Sequence, residues 1–175
     1  MNTVVIYKSK TGFAKKYAEW IAKDLSADIF DVSKITIKNL IKYDTIIYGG
    51  SLYAVGINGV KLITNNIEKL KDKKVIVFST GVSPLTVDGI IDVRNKNFTP
   101  VQQKHIKFFY LRGGFNYNHL TPFDKILMTL LKWKIKSKKE EKLTTDERGM
   151  LALYHNPVDF TKKKNIDEII NCVTS

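Results

Sequence analysis

The stretch Thr3-Val4-Val5-Ile6-Tyr7, the turn Ser9-Lys10-Thr11-Gly12-Phe13 behind it, and the amphipathic run that starts at Ala14 decide the fold. The first five residues are β-branched or aromatic and read as a strand. From Ala14 to Leu25 the apolar residues Tyr17, Ala18, Ile21, Ala22 and Leu25 recur at helical spacing, so a helix follows. The turn between them brings hydroxyls, a glycine and backbone N–H groups to a helix N-terminus, where donors are unpaired and the macrodipole is positive. Such a turn suits a phosphate. It also suits plain helix capping, and taken alone it does not separate the two.

Three more strand-like runs lie downstream, at residues 28–32, 45–49 and 74–79. Thr45-Ile46-Ile47-Tyr48-Gly49-Gly50 and Val75-Ile76-Val77-Phe78-Ser79-Thr80-Gly81 are nearly continuous in apolar residues, as strands buried on both faces are, and this predicts a parallel sheet. Helical patterns separate the strands: a short one at 35–41, and one at 60–70 carried by Val60, Ile63, Ile67 and Leu70. Alternation of strand and helix is the mark of a doubly wound α/β fold. Thr99 and Pro100 open another helix as cap and first-position proline. A fifth strand is expected over 107–112 and a last helix over 165–173. Between these two lie about 50 residues, against the handful a usual connection needs, so residues 114–163 read as an insertion in a single domain of residues 1–175.

Composition narrows the function. With 175 residues and 43% apolar content, the chain can bury one real core. No run is long and apolar enough to span a bilayer and no signal-peptide pattern opens the sequence, which leads to the expectation of a cytoplasmic protein. Cys172 is the single cysteine, which excludes disulfides, CxxC redox chemistry and thiolate metal clusters; any electron transfer needs a bound cofactor. The net charge is +12, shared evenly between residues 1–100 and 101–175. Charge of this size favours anionic partners and says nothing about fold.

The turn at Ser9 lacks the GxxxxGK[ST] spacing of triphosphatases, and no GxGxxG follows the first strand. Two companions give it meaning. Gly49-Gly50-Ser51-Leu52-Tyr53-Ala54-Val55-Gly56 follows the third strand and Ser79-Thr80-Gly81-Val82-Ser83-Pro84 the fourth, both at carboxyl ends, where open α/β sheets bind ligands. With these three loops the sequence resembles the flavodoxin family. The resemblance implies a flavodoxin-like doubly wound five-stranded parallel sheet and FMN as cofactor, its phosphate in the first loop and its ring held by the other two. Carried over position by position, the cofactor-binding residues are Ser9, Lys10, Thr11, Gly12, Phe13 and Ala14; Ser51, Leu52, Tyr53, Ala54 and Gly56; and Ser79, Thr80, Gly81, Val82 and Ser83. Phe13-Ala14 departs from the family's commoner second threonine, which leaves room for Lys10 to supply charge to the phosphate. Tyr53 is the expected ring-stacking residue, backbone N–H groups of residues 80–82 the donors to the ring's pyrimidine edge, and Phe115 or Tyr117 a second cover.

The insertion and the basic charge separate this chain from acidic electron carriers. Thr121-Pro122 starts a helix that carries Ile126, Leu127, Leu130, Leu131 and Trp133, with lysines increasing toward its end, a pattern that suits either packing on the domain or a membrane interface from Ile126 to Lys139. The lysines carry no aromatic-interleaved motif for nucleic acid. With Arg112-Gly113-Gly114-Phe115-Asn116-Tyr117 ahead of it, the insertion resembles that of the menaquinone-dependent protoporphyrinogen oxidase branch. That resemblance implies an FMN-dependent oxidoreductase passing electrons from a porphyrinogen to a quinone, with Arg112 available to a propionate. An electron carrier serving a protein partner, and a non-redox basic binding module, are the alternatives. His105, His119 and His155 read as structural; no general base and no metal ligand is assigned.

Overall fold

A computed structural model describes residues 2–53, 55–154 and 156–175. Five parallel strands form one sheet in the order β2-β1-β3-β5-β6: β1 Thr3–Lys8, β2 Asp28–Asp31, β3 Thr45–Tyr53, β5 Lys74–Gly81 and β6 Ile106–Arg112. A two-residue strand, β4 Gly56–Ile57, folds back antiparallel on the end of β3, pairing Leu52 with Ile57 and Tyr53 with Gly56. Helices α1 Phe13–Leu25 and α8 Asp167–Thr174 cover one face. Helices α2 Ile37–Leu40, α3 Lys61–Thr64, α4 Val87–Asn97 and α5 Pro100–His105 belong to the connections of the other.

The pleat sorts the apolar runs between two cores, because successive strand residues point to opposite faces. Val4, Ile6, Ile46, Tyr48, Val75 and Val77 pack with Leu40, Ile63, Leu70 and Val93. Val5, Ile47, Ile76 and Phe78 pack with Tyr17, Ala18, Ile21, Ile169 and Val173. Both faces are thus occupied, as the unbroken apolar runs of the central strands require. Gly49 sits where any side chain would overlap the Phe78 ring, so the close approach of β3 and β5 fixes that residue.

Several local expectations change. The helix expected over 60–70 is two pieces, α3 and a 3₁₀ turn Ile67–Leu70. Asn66 leaves helical geometry and its side-chain amide donates to the Leu62 carbonyl at 3.0 Å, the local competition that makes asparagine a helix ender. Residues 50–53 and 79–81, read as loops, extend β3 and β5. Helix α4 gave no clear periodic signal: Val93 is its one buried residue, while Val87 and Ile91 are exposed. The last helix starts at Asp167 behind a 3₁₀ turn.

The insertion holds β7 Gly114–Phe115 paired antiparallel with β8 Val158–Asp159, and between them α6 Pro122–Lys136 and α7 Thr145–Leu153. Thr121 caps α6 by accepting from the Asp124 N–H, with Pro122 in the first turn, as the sequence predicts. Helix α7 was not anticipated.

Candidate functional site: a cleft at the carboxyl edge of the sheet

The strand order places β1 and β3 side by side with their crossovers leaving to opposite sides, so the switch point of the sheet lies between their carboxyl ends. A ligand crevice belongs there. A cleft of about 450 Å³ occupies it, within the range of small-molecule sites. Lys10, Thr11 and Phe13 come from the turn behind β1; Ser51, Leu52 and Tyr53 from the end of β3; and Thr80, Gly81 and Val82 from the end of β5. Nine of the residues expected at the cofactor thus meet around one space. Gly114, Phe115, Leu120, Asp124, Met128, Leu131 and Met150 close it from the insertion.

The first turn is shaped from within. Gly12 has φ of 93°, and no atom lies within 4 Å of where its Cβ would stand. The Ser9 hydroxyl accepts from the Gly12 N–H at 3.0 Å, and the Ser51 hydroxyl accepts from the Lys10 N–H at 3.1 Å, tying the turn to β3. Helix α1 has no side-chain cap, and its first internal bond runs from the Lys16 N–H to the Gly12 carbonyl at 2.9 Å. The N–H groups of Phe13, Ala14 and Lys15 therefore have no intrahelical acceptor. By contrast α4, α5, α6 and α7 are each capped by a threonine.

Other expected residues stand elsewhere. Ala14 is fully buried on the inner face of α1, so only its backbone can serve a ligand. Ser79 is also fully buried; with Thr80 on the cleft, the alternation of β5 turns Ser79 to the opposite face, where its hydroxyl has no partner among the described residues. Ser83 borders a neighbouring chamber and Gly56 an outer groove beyond Tyr53. Ala54, like His155, lies outside the described residues. Phe115 lines the cleft, whereas Tyr117 borders a separate pocket with Trp133.

Lys10 is not left to a phosphate. Its ammonium donates to Asp124 at 2.7 Å and stands 4.6 Å from the Tyr53 ring centroid. Asp124 is 4% exposed and also accepts from the Thr121 hydroxyl at 2.8 Å. The hydrogen bond from Lys10 is the main cause that holds its carboxyl below the ordinary value, and this carboxylate stays ionised. Sequence reading missed Asp124. The available signal was an acid on the same helical face as Met128, Leu131 and Ile135, an apolar stripe where a charge needs a partner.

A second chamber of about 400 Å³ adjoins the cleft and shares Val82, Phe115, Met128 and Met150 with it. Arg112 borders this chamber, its Nε donating to the Val82 carbonyl at 3.1 Å and its guanidinium 3.6 Å from the Phe160 ring centroid. Tyr110 pins the loop from below by donating to the Ser83 carbonyl at 2.6 Å, and burial pushes its phenol up to about 12, so it remains a neutral donor. Among the described residues no group of His, Cys, Asp or Glu is placed to hold a metal ion.

A doubly wound sheet with a small-residue turn at its switch point suits a mononucleotide. The flavodoxin domain model matches residues 4–142, and the chain belongs to the flavodoxin family. Solved structures are similar to parts of it. The flavodoxin, WrbA-like protein from Agrobacterium tumefaciens is 21% identical, with 61% of this chain and 74% of that one covered at a TM-score of 0.47. Oxidised flavodoxin 2 from Bacillus cereus is 16% identical, with 64% and 84% covered at 0.48. The Trp repressor binding protein from Bacillus subtilis is 17% identical, with 66% and 85% covered at 0.47. No curated protein matches the sequence.

Family membership makes FMN the cofactor, and FMN at the β1/β3 switch point is the known case for this strand order. The residues present fit it. The open space at Gly12 and the uncapped N–H groups of α1 suit a phosphate, and Tyr53, Leu52 and Phe115 give apolar walls to a ring.

Proposed function

We propose that this chain is an FMN-dependent oxidoreductase that takes electrons from an organic substrate bound beside the flavin and passes them to a quinone. One observation carries this reading: the insertion extends the cleft into a second chamber that borders Arg112. An electron carrier serving a protein partner needs an accessible ring edge; a small-molecule enzyme needs this extra room. FMN, when bound, accepts and returns two electrons. Each cycle removes two electrons and two protons from the substrate and converts one quinone to its quinol. The protein's own part is to orient and to exclude water. Phe115, Met128 and Met150 wall off the space, and the guanidinium of Arg112, fixed by Val82 and Phe160, suits a carboxylate such as the propionate of a porphyrinogen.

The test uses the protein loaded with FMN, a porphyrinogen and a menaquinone analogue. The expected result is turnover well above that of free FMN, with Arg112→Leu raising KM for a carboxylated substrate about tenfold. Turnover no faster than free FMN removes the enzyme reading and leaves the carrier.

Access to quinone follows from the outer face of α6. Phe123, Ile126, Leu130 and Trp133 are 68%, 60%, 54% and 68% exposed and lie on one side of the helix at three- and four-residue spacing. Lys134, Lys136 and Lys139 are exposed at its far end. An apolar stripe beside cations on a chain of net charge +12 suits an anionic bilayer surface; no helix among the described residues is long and apolar enough to cross a membrane. Sedimentation with anionic vesicles, weakened by salt and abolished by Ile126→Asp with Trp133→Asp, is the expected outcome. Undiminished binding by that variant rejects the surface.

A further inference from the structure

Two spaces flank the first turn, and their chemistries differ. On the inner side is the cleft, walled by Leu52, Phe115, Met128 and Met150 and containing the buried Asp124 carboxylate, which already holds the Lys10 ammonium. On the outer side is a cavity of about 360 Å³ bordered by the turn Thr11 to Phe13 and by Lys16, Asn116, His119 and Asp159. Each space borders one lysine–aspartate pair, Lys10 with Asp124 and Lys16 with Asp159, so charge does not choose between them; the apolar walls of the cleft suit a ring and leave the phosphate to the more polar space. Thr11 and Phe13 belong to both; Gly12, whose missing Cβ leaves open space, belongs to the outer one.

We propose that the phosphate end of FMN is seated in this outer cavity and that Asn116 and His119, residues of the insertion, complete its site. The inference rests on FMN as the cofactor and is independent of what the flavin oxidises. Asn116 uses its Oδ1 to accept the Asn118 N–H at 3.0 Å, which leaves its amide donors without a partner among the described residues. The His119 ring likewise has no hydrogen-bond partner there, and both side chains border the cavity. Lys16 brings positive charge to the same wall, shared with Asp159 at 2.7 Å; Asp159 is occupied further by the Thr161 N–H and hydroxyl at 2.8 and 2.6 Å. The insertion thereby serves both ends of the cofactor: apolar side chains at the ring, polar donors at the phosphate.

Riboflavin, which lacks the phosphate, isolates this contribution. Quenching of flavin fluorescence measures the affinity of the ligand-free protein for FMN and for riboflavin. Asn116→Asp keeps the acceptor that caps the Tyr117–His119 turn while replacing the amide donors with a carboxylate; His119→Gln is the second variant. The expected result is FMN affinity about tenfold weaker or more in Asn116→Asp, with riboflavin affinity unchanged and the same direction in His119→Gln. The phosphorus-31 resonance of bound FMN is expected to shift between parent and variants. An FMN-to-riboflavin affinity ratio and a phosphorus resonance both unaltered in the two variants overturn the inference. So does a parent chain that binds the two flavins equally well.

Discussion

The parallel-sheet body and the insertion are built on opposite economies of apolar surface. In the body, both faces of every central strand are buried, and Tyr17, Tyr48 and Phe78 have no exposed surface at all. Among the described residues of the insertion, only Asp124 and Ile135 are buried. The insertion is held to the body by polar ties: Lys10 to Asp124, Lys16 to Asp159, and the Phe160 N–H to the Gly113 carbonyl at 2.9 Å. Of its remaining apolar residues, Leu120, Met128, Leu131 and Met150 line the cleft, and Phe123, Ile126, Leu130 and Trp133 are exposed on α6. The body buries its apolar area in two cores, and the insertion leaves much of its own on cavity walls and on an open helix face.

Three substitutions can break or sharpen this contrast. The largest effect is expected from Phe78→Ala in the body. Its ring packs against Gly49 and meets Tyr17 edge-on at 6.4 Å, and truncation there costs about 3–5 kcal/mol, read as a lower urea midpoint for the whole chain. Ile135→Ala in the insertion comes next, at about 2 kcal/mol. Its cost is expected to appear as faster proteolytic cleavage of residues 114–163, with the body's unfolding midpoint little moved; a global loss equal to that of Phe78→Ala would erase the distinction.

The smallest effect concerns the tie at Asp124. Its carboxyl is held below the ordinary value chiefly by the Lys10 hydrogen bond. A depressed folded value means the contribution is complete above the unfolded value, about 4, and lost as pH falls through the lowered one. Lys10 is partly open to solvent, so Asp124→Asn is expected to cost about 1 kcal/mol or less at neutral pH. The gap to the parent should close on acidification below about pH 4. A gap that stays constant down to pH 2 would show that the carboxylate's charge is irrelevant to the tie.

The contrast also explains what could be read from the chain alone. Strand runs such as Thr45 to Gly49 and the periodic helix at Ala14 to Leu25 carry their own evidence, because two-sided burial and amphipathic spacing are written in consecutive residues. The nine expected residues that line the cleft sit at or just behind the carboxyl ends of β1, β3 and β5, so topology alone brings them together. Ser79 was misplaced because the end of β5 could not be located, and one residue of strand reverses the face. Lys10 was assigned to a phosphate because its partner lies 114 positions away. Helices α4 and α7 were missed for lack of a buried stripe: Val93 alone is buried in α4, and no spacing rule detects a helix that presents its side chains to a cavity.

One hydroxyl gives the insertion its frame. The Tyr17 phenol, buried in α1, donates to the Arg112 carbonyl at 2.7 Å and accepts from the Lys162 N–H at 3.3 Å and the Asn165 side-chain amide at 2.8 Å. The chain therefore leaves the end of β6 and rejoins the body, ahead of the last helix, at nearly the same point. A segment anchored in this way can be lengthened, shortened or exchanged without disturbing the strands, since its two ends are already fixed to each other. For an evolving lineage, that makes residues 114–163 a replaceable cartridge: a different wall for the cleft can be tried on unchanged strands.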